Sequence, residues 1–69
     1  MNQVIVSKSD VAEFLSYCVS WGLKATIINK EYQFLDNPLK FIFKLDKFLQ
    51  EEDYVNIKRN APSFDLYTI

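Results

Sequence analysis

Sixty-nine residues, 49% of them hydrophobic and 16% aromatic, supply one core and not two, because a chain this short buries only about 60% of its unfolded surface. That apolar content excludes a disordered chain, and a net charge of −1 excludes a global field for nucleic acid or an anionic membrane. No apolar run approaches the roughly 20 residues of a membrane span. The single Cys18 forbids an internal disulfide, which fits a reducing interior. The first six residues lack the basic region and long apolar stretch of a signal peptide. The expectation is one soluble, cytoplasmic domain over residues 1–69. Chain entropy consumes most of the stabilisation in a domain of this size, so a homodimer is a natural remedy.

In chain order, Gln3-Val4-Ile5-Val6 reads as a short β-branched strand covered on both faces. Ser7-Lys8-Ser9-Asp10 matches a capping box, with Val6 and Val11 placed for a hydrophobic staple. A helix is predicted to run to about Trp21 and to stop at Gly22, the only glycine, with Val11, Phe14, Leu15, Cys18 and Val19 as its core stripe. Leu23 to Ile28 follows as a strand, Asn29-Lys30-Glu31 as a tight connection and Tyr32 to Leu35 as a returning strand.

The second helix is predicted over residues 38–50. Asn37 suits the cap and Pro38 the first helical position, and Phe41, Ile42, Leu45, Phe48 and Leu49 fall on one helical arc. A rival strand reading exists, because Phe41, Phe43 and Leu45 alternate with Lys40, Ile42 and Lys44; the Asn-Pro start and the five-residue arc favour helix. Gln50 to Asp53 would fray, with three carboxylates opposing the dipole at a C-terminus. Tyr54 to Lys58 alternates weakly as a strand, Asn60 to Ser63 makes a turn, and Phe64 to Ile69 ends the chain as a strand. The expected class is α+β: two helices on one face of a mostly antiparallel sheet of 3–5 strands in the order βαββαβ. A ferredoxin-like arrangement is the simplest such solution.

The chemistry is limited by what is missing. There is no His, so the commonest general base and metal ligand is absent. One glycine cannot build a glycine-rich phosphate cradle, and one Cys cannot build a zinc site. Cys18 lies on an apolar stripe and reads as a packed small hydrophobe. Glu51-Glu52-Asp53 lacks the loop spacing of a cation site and reads as a solvated helix end. No enzyme, no cofactor and no metal are expected.

Binding has more to draw on. Tyr17 and Trp21, one turn apart on the first helix, border its core stripe, where an apolar body with a polar tip serves as an interface anchor. On the predicted second helix, Leu39 and Phe43 fall outside the arc among Lys40, Lys44 and Lys47, which makes an apolar pair with a cationic rim. The bland alternative packs Leu39 and Phe43 under the sheet edge. Lys40, Lys44 and Lys47 with Lys58 and Arg59 also suggest a small nucleic-acid-binding surface, against which stand the acidic balance and the absence of a basic-Gly-aromatic pattern. Heavy use of Ile, Asn, Lys, Phe and Tyr is the habit of AT-rich genomes. A compact, motif-free acidic chain is the kind that phages and mobile elements encode against host proteins. The functional expectation is a non-enzymatic protein–protein interaction module, acting by occlusion of another protein such as a host enzyme or complex.

Overall fold

Val4 and Val6, fully buried, point to one side of strand β1 (Gln3–Ser7) while Ile5 points to the other. The computed structural model describes residues 2–31 (29–31 as backbone) and 39–67. After β1, one 3-10 turn (Lys8–Asp10) leads into helix α1 (Val11–Ser20), then strands β2 (Ala25–Glu31) and β3 (Lys40–Leu45), helix α2 (Glu51–Asn60) and strand β4 (Asp65–Leu66). Together they form a small α+β domain with two helices and a four-stranded antiparallel sheet in the order β2-β3-β1-β4.

The register places the core. Val4 lies opposite Phe43 and Val6 opposite Phe41, so these side chains share one sheet face. Phe14 and Cys18 of α1 and Ile57 of α2 are buried in the same cluster as Val4, Val6, Phe43 and Leu45, which puts both helices on that face. Ala61 and Phe64 close the cluster from the segment after α2. Ile5 lies opposite Ile42 on the other face, where Ile42 is also buried.

The second predicted helix is therefore a strand. Residues 40–45 form β3, hydrogen-bonded between β1 and β2. The helical arc was an accident of two-sided burial. Because Ile42 is buried on one face and Phe43 and Leu45 on the other, the run is almost continuously apolar, a pattern that periodicity cannot distinguish from a helix. Phe48, which the arc placed in the core, is 67% exposed. Tyr54 to Lys58, read as a strand, lies in α2, and Asn29 to Glu31, read as a turn, continues β2. The predicted strand at Tyr32 to Leu35 and the Asn37-Pro38 cap lie outside the described residues.

The carboxylates change sign of effect with the shift. Glu51, Glu52 and Asp53 occupy the first turn of α2 and Lys58 and Arg59 its last turn, so both ends complement the helix dipole. Asp53 Oδ2 accepts the Gln50 N–H at 3.0 Å and the Lys47 ammonium at 3.2 Å. The Gln50 bond, ahead of the Lys47 contact, holds the Asp53 carboxyl below its ordinary pKa.

The first helix ends as its glycine predicts. Gly22 has φ 69°, the Leu23 N–H donates to the Cys18 carbonyl at 2.8 Å and the Gly22 N–H to that of Val19 at 3.3 Å, a Schellman closure. Its start departs from expectation, for the Ser7 side chain makes no capping bond. Asp10 Oδ2 instead accepts the Ser63 N–H at 2.9 Å, and the Ser63 hydroxyl oxygen accepts the Ser7 N–H at 3.0 Å. The capping box lost because a partner 53 residues away satisfies the carboxylate better than the local backbone does. Leu15 and Val19 of the predicted stripe are exposed, leaving Phe14 and Cys18 as the buried pair.

Two outcomes follow from these closures. Nothing lies within 4 Å of a Cβ built on Gly22, so Gly22→Ala meets only the left-handed backbone penalty. It should lower unfolding free energy by about 1–2 kcal/mol in a urea titration, with Gly22→Asn milder. Hydrogen bonds from the Ser63 side chain and then its backbone lower the Asp10 pKa below 3.8. The folded value lies below the unfolded one, so this contribution is present above the ordinary Asp pKa and is lost as pH falls through the depressed folded value. Asp10→Ala should cost about 1 kcal/mol at neutral pH, and the difference from wild type should close in acid.

Candidate functional site

Of the side chains singled out from the sequence, the fold keeps two together at the surface. Tyr17 and Trp21 are one turn apart on α1 and stack with ring centroids 6.0 Å apart and planes at 30°. Trp21 is 67% exposed and Tyr17 half-buried, its phenol lifted above the ordinary pKa first by burial and then by the Asp53 charge. They line an open groove of about 380 Å³ between the helices. Glu13, Ser16 and Ser20 complete the α1 wall, and Asn56, Arg59 and Asn60 form the α2 wall. A single large aromatic surface is thus set among hydroxyls, amides and one charge of each sign. Only α2 could supply the second wall, and α2 was not legible as a helix, which is why sequence reasoning missed Asn56, Arg59 and Asn60.

The other predicted anchors do not join them. Phe43 is 1% exposed, its ring 5.0 Å from that of Phe14, and serves the core instead of an outer patch. Leu39 is half-buried just before β3, where its carbonyl accepts the Lys8 N–H at 2.8 Å.

The lysines do not line one helix side. Lys40 and Lys44 lie opposite Ser7 and Gln3 on the sheet face away from the helices, while Lys47 sits between β3 and α2, paired with Asp53. The Lys58 ammonium donates to the Tyr54 hydroxyl at 3.2 Å and the Phe64 carbonyl at 3.3 Å, and Arg59 lines the groove. Strand geometry separates cations that a helix would have aligned.

Comparison with protein-family models, curated proteins and solved structures finds no match in any of the three. The reading of the site rests on its own chemistry. Burial, and secondarily the Asp46 charge, pushes the Cys18 thiol up to about 11, so it is neutral and a poor nucleophile at physiological pH. Among the described residues no three His, Cys, Asp or Glu side chains converge as a metal site, and no helix is long and apolar enough to cross a membrane. The groove offers surface and hydrogen bonds.

The two aromatic classes should separate cleanly in mutagenesis. Phe43→Ala should destabilise by about 3–5 kcal/mol, enough to unfold much of a domain this small. Trp21→Ala should shift the thermal midpoint little, since most of its ring already meets solvent.

Proposed function

We propose that this chain is a ferredoxin-like, non-enzymatic protein-binding domain, of the kind a phage or mobile element uses to occlude a host protein. The sheet order β2-β3-β1-β4 with both helices on one face supports the fold reading. The observation that carries the binding reading is Trp21, two-thirds exposed and stacked on Tyr17 at a polar groove. An exposed Trp leaves a large apolar area in water, and covering it with a partner recovers that hydrophobic free energy. Stacking on Tyr17 limits the freedom of the indole before contact, which reduces the entropy lost on binding. Glu13 and Arg59 give the walls opposite charges, so a partner segment carrying both signs is favoured over a uniformly charged polymer.

A lysate pull-down tests this with Trp21→Ala and Arg59→Glu, using Phe48→Ala as the control because Phe48 is equally exposed and does not line the groove. Partners held by the wild type and Phe48→Ala should be lost with Trp21→Ala, about thirtyfold or more for a central anchor. Equal recovery by a folded Trp21→Ala protein would falsify the assignment. Binding to oligonucleotides that falls steeply with salt and disappears with Lys44→Glu would move the function to the opposite sheet face.

A further inference from the structure

Glu13, Tyr17 and Trp21 follow one another at four-residue intervals, so they form one ridge along α1. At 1.5 Å per residue the ridge is about 12 Å long, with the two stacked rings at one end and a carboxylate at the other. The Asp10–Ser63 bond ties the start of α1 to the segment after α2, and Tyr17 feels the charge of Asp53 at the start of α2. The helices therefore run antiparallel, and Arg59, near the end of α2, lies on the opposite wall at the Glu13 end. Among the described residues no hydrogen bond or ion pair engages the Glu13 carboxylate, the Arg59 guanidinium or the Trp21 indole N–H. One end of the groove is aromatic, and the other carries an acid and a base that do not pair with each other.

Backbone chemistry decides what fits there. Both walls are helices whose backbone groups are bonded along the helix, so a β-strand laid between them gains no main-chain bonds. A helix brings a backbone that is already closed, so its carbonyls do not answer the Trp21 indole or the Arg59 fork. A polyproline II segment leaves its carbonyls open, and its prolines dock on aromatic side chains. It is also ordered before contact, so little entropy is lost when it binds rings that are themselves stacked in advance. Its rise of about 3.1 Å per residue covers the ridge in about four residues. With three residues per turn, neighbouring side chains diverge by about 120°. Adjacent residues of opposite charge just beyond the prolines thus reach opposite walls, the cation toward Glu13 and the anion toward Arg59.

We infer that the occupant of this groove is a proline-rich segment in the polyproline II conformation, closed by adjacent basic and acidic residues. Its prolines sit on Trp21 and Tyr17, and its charged pair is divided between Glu13 and Arg59. The inference rests on the Trp21 groove being the partner-binding surface, and adds the chemical class of the partner segment.

Trp21 is the only tryptophan, so its emission reports the groove directly. The probe is a blocked peptide of five prolines followed by lysine and glutamate, titrated into the full chain. Emission should shift to the blue and saturate as the indole leaves water. Arg59→Glu should weaken this probe about tenfold, and a probe ending in two lysines should recover the loss. With the probe dye-labelled, anisotropy should show Trp21→Ala weakening it about thirtyfold or more. Both residues are exposed, and circular dichroism checks that both variants stay folded. No saturable response to the proline probe overturns the inference. So does an equal response to an alanine-rich helical peptide with the same charged pair, or binding indifferent to Arg59→Glu. Lysate partners still lost with Trp21→Ala beside a silent proline probe would fault the peptide class alone, whereas partners indifferent to Trp21→Ala would fault the groove itself.

Discussion

The contact on which the rest depends is the Phe14 ring against Phe43, 5.0 Å between centroids. It fastens α1 to β3, one of the two central strands of the sheet, and Phe14 also stacks at 5.8 Å on Phe64, which meets Tyr54 at 5.4 Å. Four rings thus link α1, β3, the tail and α2 in one chain of contacts. Tilted and offset rings of this kind contribute roughly 0.5–1.5 kcal/mol per pair beyond their buried area. Glycine and alanine are scarce in this chain, so bulky aromatics fill space that a longer protein would divide among more residues.

Local rules were legible where the local interaction is also the one the fold uses. Val4 and Val6 are β-branched and buried, and Gly22 takes the left-handed conformation that closes α1. They failed where a distant partner outcompetes a near one. Asp10 looks like a capping residue until Ser63 arrives, and Gln50 to Asp53 looks like a poor C-terminus until the helix is seen to begin there. For residues 40–45 the aromatic and β-branched run Phe41-Ile42-Phe43 was the available signal for a strand, and Asn37-Pro38 outweighed it wrongly. That one error carried the site with it, because an anchor at Phe43 required a helix around it. Tyr17 and Trp21 stayed paired because their spacing sits on a helix whose end Gly22 marks in the sequence.

The charge pattern shows the same economy. With a net charge of −1 the chain has no excess cation to spend on a distant field, and several of its cations are engaged close by. Lys47 holds Asp53, and Lys58 reaches the Tyr54 hydroxyl and the Phe64 carbonyl, with its ammonium 5.3 Å from the Tyr54 ring. These contacts sit where α2 begins and where it hands over to the tail, and there they orient a helix whose inward face contributes a single fully buried side chain, Ile57.

The sheet order β2-β3-β1-β4 also governs how the chain can reach its native state. The strand made first is flanked by the two made last, so Val4 and Val6 have no sheet partner until residue 41 and beyond has been synthesised. Closing such loops costs entropy before any pairing rewards it, and that ordering favours a late, concerted collapse over stepwise accretion from the N-terminus. A nascent chain halted near residue 35 would hold an α1 whose Phe14 has neither Phe43 nor Phe64 to meet, an aggregation-prone fragment in place of half a domain.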